Sequence, residues 1–170
     1  MKSIFVDGYN VISYWPGLKS IKEYSFEAAR QELIEILSNY ASYKGYKIFT
    51  VFDAHMVYGS IEKREKISDN IIVIFTKEGE TADNFIEREV NRIGRKSEVC
   101  VVTSDSLEQQ VVFQRGAVRM SSIEFYHEIK SVETKIKKKI EKKYSQKRHT
   151  LEDRIEQNIL EKLEKIRRSN

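Results

Sequence analysis

The chain has a single cysteine and no long apolar run, and both features restrict the class of protein and the compartment that fit it. Cys100 has no second thiol for a disulfide within the chain, so a reducing cytoplasm suits it. No stretch approaches the roughly 20 apolar residues that a membrane helix needs. Asp7 also interrupts the first apolar run, where a secretion signal would continue. We therefore expect a cytoplasmic protein with no membrane partner.

Several common active-site motifs are missing too. The phosphate-binding pattern GxxxxGK[ST] is absent, which excludes a P-loop ATPase, and no GxGxxG follows the first strand, which argues against a dinucleotide-binding fold. No GxSxG marks an acyl-transfer serine. A receiver domain would have an acidic pair after the first strand, and an Asp-x-Asp phosphatase would have an aspartate where this chain has Tyr9. We expect no nucleotide cofactor.

Positive charge is concentrated in the C-terminal part of the chain. Residues 130–170 hold 14 Lys and Arg against 7 Asp and Glu, whereas residues 1–129 hold 16 against 19. Such a basic block is typical of segments that contact nucleic acid or another polyanion, and a solvated helix face has the same composition. The 170 residues suit one domain with an appendage. We place the domain at 1–120 and a basic helical extension at 121–170.

Apolar patterns in the first 120 residues alternate between strands and helices. Strands are predicted at 2–6, 47–52, 71–75, 99–103 and 117–119, and helices at 26–43 and 82–95, with a short one that ends at 114. Ser25 and Thr81 are candidate N-caps, Gly45 suits a helix end, and the polar stretch 54–70 is interpreted as a long loop. The alternation predicts an α/β fold in which helices flank a parallel sheet of four to five strands.

The basic extension has helical spacing with one interruption. Ser121 and Glu124 have the spacing of a capping box, which predicts a helix over residues 122–143. The polar run 145–150 predicts a break before a second helix over 151–168. We therefore expect a helical hairpin or arm.

Four acidic residues fall where the predicted strands end. Asp7, Asp53 and Asp105 follow three strands, and Asp83 lies in the first turn of the helix after another. Sites in parallel sheets form outside the carboxyl ends of the strands. Each acid alone has an ordinary alternative role, in a turn, at a strand end or at a helix N-terminus. Four at one edge favour a shared site.

Clustered carboxylates point to a divalent cation. They repel one another unless a cation compensates their charge, and Mg²⁺ and Mn²⁺ prefer oxygen ligands. A metal ion held in this way can activate water and neutralise charge on a phosphodiester. His55 is the one histidine near these acids, and we interpret it as a loop residue with a possible proton-shuttle role, so zinc fits less well. The pattern favours metal-dependent phosphodiester hydrolysis.

The same motifs resemble a known family. VDGYN at 6–10, VFDAH at 51–55, IFTKE at 74–78, ETAD at 80–83 and TSD at 103–105 are similar to the YacP-like group of NYN domains, a branch of the PIN-like nucleases. The resemblance covers residues 1 to about 145. It implies a Rossmann-like fold and a Mg²⁺- or Mn²⁺-dependent endoribonuclease that associates with ribosomes and cleaves mRNA during translation.

The resemblance also assigns residues to roles. Asp7, Asp83 and Asp105 resemble the metal-binding catalytic acids, Asn10 would orient Asp7 or a metal-bound water, and Asp53 is a fourth acid. Many NYN domains carry another aspartate shortly after the fourth strand. This chain has Leu107 there, with Glu108 as a possible substitute, which leaves the number of metal ions open.

Candidate RNA- or ribosome-binding residues lie in two places. Near the acids, Tyr9, Tyr14 and Trp15 could stack on bases, with loop packing as the alternative for Trp15, and Arg115 could reach a phosphate. In the extension, five lysines could dock on ribosomal RNA, namely Lys137, Lys138, Lys139, Lys142 and Lys143. Two functions remain open, both for an expected monomer: a ribosome-associated endoribonuclease, or a non-catalytic RNA- or ribosome-binding module whose acids are structural.

Overall fold

The alternation of strands and helices in the sequence gives an α/β fold. A computed structural model describes residues 1–54, 58–94, 97–105 and 116–169, and the chain divides into two units, residues 1–130 and 131–170. The described strands are β1 (Ser3–Asp7), β2 (Lys47–Phe52), β3 (Lys63–Lys66), β4 (Ile71–Phe75), β5 (Val99–Val102) and β6 (Val118–Met120). The described helices are α1 (Gly8–Tyr14), α2 (Pro16–Lys22), α3 (Phe26–Lys44), α4 (Ala82–Ile93) and α5 (Ser122–Arg168). The predicted fold class is confirmed.

The described strands form one six-stranded sheet in the order β3-β4-β2-β1-β5-β6. All neighbours pair in parallel except β3 and β4, which are antiparallel. The chain therefore moves outward from β1 through β2 to β4, then returns to β5 on the other side of β1. The crevice between β1 and β5, where the direction of winding reverses, is the position at which such sheets bind ligands.

Strand β3 corrects the prediction of a long loop at 54–70. Its sequence, KREK, has no apolar alternation, so the period-2 signal of a strand is missing. Charged residues are nevertheless usual in an edge strand, because they discourage pairing with another chain. Arg64 of β3 is held in place by Glu62 and Glu89, with its Nε 2.7 Å from Glu62 Oε1.

Two short helices, α1 and α2, follow β1 directly and were not predicted. Each has seven residues, which is too short for a helical period to be visible in the sequence. Trp15 separates them, and Pro16 occupies the first position of α2, where a missing N–H costs nothing. The longer helices match their predicted signals: Ser25 caps α3, Gly45 ends it in the left-handed region, and Thr81 caps α4.

The core lies on both faces of the sheet. Phe5 and Val101 of the central strands pack with Phe85 and Ile86 of α4 in one buried cluster. Leu33 and Leu37 of α3 are fully buried, as the helical spacing of that segment predicts. This two-sided burial explains why the strands are short continuous apolar runs.

Helix α5 begins in the first unit and continues into the second. Ser121 and Glu124 form the predicted capping box, with Ser121 N donating to Glu124 Oε2 at 2.7 Å and Glu124 N donating to Ser121 Oγ at 3.2 Å. The predicted break at 145–150 is wrong, and the hairpin does not form, because α5 is continuous to Arg168. The segment 145–150 contains neither Pro nor Gly, and the Thr150 hydroxyl donates back to Gln146 O at 2.7 Å within the helix. Among the described residues, no helix has the length and hydrophobicity required to span a bilayer.

Candidate active site

The carboxyl edge of the parallel strands gathers the acids that the sequence analysis singled out. Asp7 is the last residue of β1, Asp53 follows β2, and Asp105 lies three residues past β5. Asp83 is in the first turn of α4, which begins at the same edge because it follows β4. Asp7 and Asp105 thus flank the crevice between β1 and β5. The topology brings the four residues to one rim.

Asp7 joins β1 to α1 without an intervening loop. Its Oδ1 accepts a hydrogen bond from Asn10 N at 3.1 Å, so the side chain caps the helix that begins at Gly8. The turn is tight, because a Cβ on Gly8 would lie 2.6 Å from Cδ1 and 2.9 Å from Cζ of Phe52. Glycine is required at position 8 by this close approach to the end of β2.

Burial and neighbouring charges act together on Asp7. Burial raises the pKa of Asp7 to about 6, the hydrogen bond from Asn10 N opposes that rise, and the charges of Asp83, Asp53 and Asp105 add to it. The carboxylates are therefore near enough to repel one another through a poorly solvated space. Perturbation of this kind at a strand-end rim is characteristic of functional sites.

Asn10 contacts Asp7 through its backbone, and its predicted role towards a metal-bound water stays a prediction. Its backbone N–H orients Asp7, while its Oδ1 accepts from Ser104 N at 2.9 Å and from Ser122 Oγ at 2.7 Å. Ser122 N in turn donates to Ser104 Oγ at 3.2 Å. Asn10 therefore fixes the backbone just before Asp105 and ties it to the start of α5.

The other three acids, Asp53, Asp83 and Asp105, differ in their exposure and in the hydrogen bonds near them. Asp105 is exposed, and its N–H donates to Thr103 Oγ1 at 3.1 Å. Asp53 and Asp83 are partly buried, and Asp83 is not the cap of its helix because Thr81 Oγ1 accepts from Asn84 N. His55, Leu107, Glu108 and Arg115 lie outside the described residues, so the roles predicted for them stay predictions.

The donor set fits a hard divalent cation, although the side chains are not grouped at chelating distance. Within the described residues, no three His, Cys, Asp or Glu side chains are placed to hold a metal ion as they stand. The charged groups that act on Asp7 are the carboxylates of Asp83, Asp53 and Asp105, and carboxylates are ligands that Mg²⁺ and Mn²⁺ prefer. Burial is the main cause of the raised pKa of Asp7 and the neighbouring carboxylates add to it, and a bound cation would oppose both effects by favouring the ionised form. By donor chemistry, Asp7, Asp83 and Asp105 would hold it.

The aromatic residues near the acids differ in their exposure. Trp15 is only 2% exposed, its Nε1 donates to Ser122 O at 2.8 Å, and its ring packs against Phe125, so the packing alternative is correct and base stacking by Trp15 is wrong. Tyr14 is 49% exposed. Tyr9 is partly buried between other side chains, and its role in RNA binding stays a prediction.

Two residues near the rim were missed by the sequence analysis. Ser122 is fully buried and reaches Asn10 across 112 positions, a separation that no local pattern reveals. Glu80 is 8% exposed; its Oε1 lies 2.9 Å from Arg88 Nη1, and its Oε2 is buried with no hydrogen-bond partner among the described residues. Glu80 is the first residue of the ETAD motif, but the motif does not indicate that its side chain is buried.

The predicted ribosome-binding lysines form part of an exposed helix. Lys137, Lys138, Lys139, Lys142 and Lys143 are all exposed on α5, in the second unit. Exposure is compatible with docking on a polyanion and equally with a solvated face, so their role remains a prediction.

A Rossmann-like sheet with acids at its winding reversal is the architecture of a nuclease-type domain of the NYN class. The sequence profile described as "YacP-like NYN domain" matches residues 4–168. The chain therefore belongs to the YacP-like NYN domain family, as the motifs predicted.

Similar proteins come from Bacillus subtilis. The uncharacterized protein YacP of strain 168 is 42% identical over 148 residues, which is 86% of each chain. The crystal structure of Rae1 (YacP) from Bacillus subtilis has a TM-score of 0.74 at 38% identity and covers 99% of this chain and 95% of that one. A mutant form of Rae1 (YacP) has a TM-score of 0.73 at 39% identity over 85% of each chain.

Proposed function

We propose that the protein is a Mg²⁺- or Mn²⁺-dependent endoribonuclease that hydrolyses phosphodiester bonds in mRNA in association with the translating ribosome. The observation that carries the proposal is the convergence of Asp83, Asp53 and Asp105 on the partly buried carboxylate of Asp7. Membership in a nuclease-type family supports the same reaction class. We further propose that it acts in the cytoplasm as a monomer.

Each residue of the rim has a definite part in this proposal. Asp7, Asp83 and Asp105 would hold the metal ion, which when bound polarises the scissile phosphate and lowers the pKa of a water nucleophile. The Asn10 N–H holds Asp7 at the end of β1, and the Asn10 side chain holds the backbone before Asp105. Asp53 contributes negative charge to the same space. Partial burial keeps bulk water from screening these charges.

The basic extension supports a polyanionic partner. Residues 130–170 have twice as many Lys and Arg as Asp and Glu, 14 against 7. Lysine and arginine clusters bind RNA backbones without sequence preference and release counterions, so such binding weakens as salt rises. Ribosomal RNA offers a surface of that kind, and docking there would hold the protein on the ribosome, where mRNA is translated.

Cleavage of mRNA in a reconstituted translation reaction with Mg²⁺ tests the proposal. Asp7→Asn and Asp83→Asn should each abolish cleavage while the protein stays folded and bound to ribosomes, because the amide keeps the shape but not the charge. Asp69→Asn is a matched control, since Asp69 is 90% exposed and lies in the turn that precedes β4, away from the carboxyl edge. Unchanged cleavage by both rim variants would refute the acidic site.

A non-catalytic RNA- or ribosome-binding module is the second candidate. It is favoured by the absence, among described residues, of an acidic group already spaced to hold a metal ion. Wild-type protein that cleaves none of several mRNAs, yet co-sediments with ribosomes, would select this function.

The role of the extension is tested separately from the chemistry. Charge reversal at Lys137, Lys138 and Lys139 should release the protein from ribosomes at low salt. Unchanged co-sedimentation would exclude docking through these lysines and would leave the rim proposal untouched.

A further inference from the structure

A small surface beside the acidic rim combines an exposed aromatic ring with two cations. Phe26, the first residue of α3, is 53% exposed. Lys22 Nζ lies 5.9 Å from the centroid of the Phe26 ring, and Tyr9 meets the same ring edge-on at 5.9 Å. Arg30, one turn further along α3, donates from Nη1 to the Tyr9 hydroxyl at 3.0 Å. We call Lys22, Phe26 and Arg30 the aromatic–cation patch.

The patch is joined to the rim through packed rings. Tyr9 is two residues past Asp7, and its ring lies 5.1 Å from that of Phe52, the residue that precedes Asp53. The Arg30 guanidinium lies 5.9 Å from the centroid of the Phe75 ring at the end of β4. The patch therefore lies at the carboxyl edge of the sheet, on the side of β2 and β4.

The two cations of the patch have neutral partners. Lys22 Nζ donates to Ser13 Oγ at 3.2 Å and faces the Phe26 ring, while Arg30 bonds a tyrosine hydroxyl and faces the Phe75 ring. In contrast, Arg88 is paired with the carboxylates of Glu62 and Glu80 at 2.9 Å each. Among the residues that the structure describes, the groups that Lys22 and Arg30 contact are thus uncharged, and both side chains are partly exposed, so an anion can approach them.

Electrostatics makes cations at this position useful to a nuclease. The rim is acidic and residues 1–129 hold more acids than bases, so a phosphate backbone that approaches is repelled. Positive groups beside the acids offset this repulsion for the phosphates next to the one that reacts. An exposed aromatic ring with cations nearby is the combination with which proteins hold single-stranded nucleic acid.

We infer that Phe26, Lys22 and Arg30 form a subsite for single-stranded RNA, in which one base stacks on Phe26 and the flanking phosphates contact Lys22 and Arg30. The subsite rests on the proposed function, because it holds the strand whose neighbouring phosphodiester lies over Asp7. Recognition is by stacking and charge, so it accepts different bases.

Binding of a fluorescein-labelled oligoribonucleotide of about a dozen residues tests the subsite without cleavage when EDTA is present. Phe26→Ala should weaken binding roughly tenfold, Phe26→Leu should weaken it similarly, and Phe26→Tyr should keep most of it, because the aromatic face and not the bulk is needed. Lys22→Ala and Arg30→Ala should each weaken binding and reduce its salt dependence by about one released ion. Tyr24→Ala is the matched control, since Tyr24 is 89% exposed and two positions away.

A second readout separates stacking from general attraction to the basic extension. An oligoribonucleotide with a 2-aminopurine base should lose fluorescence when bound to wild-type protein and to Phe26→Tyr, and should keep it with Phe26→Leu. The series is repeated with Lys137, Lys138 and Lys139 reversed to Glu, so that binding through the extension is reduced equally in every variant.

Each outcome bears separately on the subsite and on the nuclease. Binding by Phe26→Leu equal to wild type, or equal losses in Tyr24→Ala, would overturn the subsite even if Asp7→Asn abolishes cleavage. The expected losses, in a protein that cleaves no mRNA, would support the subsite and overturn the nuclease. Wild-type protein that fails to bind the oligoribonucleotide at low salt would overturn the subsite outright.

Discussion

The Ser122 hydroxyl donates a hydrogen bond of 2.7 Å to Asn10 Oδ1, which joins the first turn of α5 to the first turn of α1. The same oxygen accepts from Ser104 N, so one amide group holds three segments of the chain together. Ser122 is fully buried and Asn10 is partly buried, so water replaces a lost donor poorly at this position. The bond therefore stabilises the backbone around the acidic rim.

Ser122→Ala should lower the free energy of unfolding by about 1–2 kcal/mol, because it removes this partly buried hydrogen bond and leaves Asn10 Oδ1 with one donor. Urea unfolding measures the change. Ser20→Ala is the control, since the Ser20 hydroxyl donates to Pro16 O on an exposed helix face and its loss should cost little. Equal urea midpoints for Ser122→Ala and wild type would show that this hydrogen bond does not stabilise the fold.

Removing the charge of Asp7 should stabilise the metal-free protein at neutral pH. The pKa of Asp7 in the folded protein, about 6, lies above the ordinary value of 3.8 for an aspartate, so the folded protein binds more protons between these values and loses stability as pH rises through them. Above pH 6 the ionised carboxylate costs up to about 3 kcal/mol. Asp7→Asn avoids this cost and still has an oxygen to accept from Asn10 N.

The measurement is urea unfolding in EDTA from pH 4 to pH 8. The free energy of unfolding of Asp7→Asn should exceed that of wild type at pH 8, and the difference between the two should shrink towards pH 4. Mn²⁺ should then stabilise wild type more than the variant, because binding to the folded state alone shifts the equilibrium. Asp69→Asn should show no gain at pH 8. A variant less stable than wild type at every pH would contradict the electrostatic argument.

The features that could be predicted from the sequence are those set by local patterns. Strands such as Ile71–Phe75 are continuous apolar runs, and Ser25 and Gly45 mark the ends of α3 with local capping chemistry. The position of Asp7 at the end of a strand follows from the apolar run before it. The shared rim then follows from the rule for parallel sheets.

Features that depend on distant contacts could not be predicted. Strand β3 is polar and forms because β4 pairs with it, so its own residues carry no strand signal. The tie between Asn10 and Ser122 exists only after the sheet has formed. The continuity of α5 through 145–150 reflects small differences in helix propensity that a polar run conceals.

Gly8→Ala should destabilise the protein by about 1–3 kcal/mol, because the new methyl group would overlap the ring of Phe52. It should also reduce mRNA cleavage, since Gly8 follows Asp7 directly. Gly17→Ala is the matched control: among the described residues, no atom outside its chain neighbours and its own helix backbone lies within 4 Å of the new Cβ. Alanine also favours α2, so stability should be unchanged or up to about 1 kcal/mol higher.

A double variant locates the cause of the Gly8 effect. Phe52→Leu opens space at the end of β2, so the cost of Gly8→Ala should be smaller in that background than in wild type. Additive costs would mean that the overlap with Phe52 is not the origin of the destabilisation.

The single tryptophan should report on the packing of the α5 start and remain insensitive to RNA. Trp15 is 2% exposed and its indole N–H bonds Ser122 O, so acrylamide should quench its emission weakly and an oligoribonucleotide should leave it unchanged. In the Trp15→Phe background, Phe26→Trp moves the fluorophore to a position that is 53% exposed in wild type, where both reagents should quench it. Trp15→Phe itself should lower the free energy of unfolding by about 1 kcal/mol, because it removes the buried hydrogen bond. Strong quenching of native Trp15 by RNA would show that this ring faces the substrate, and would contradict its buried position in the structure.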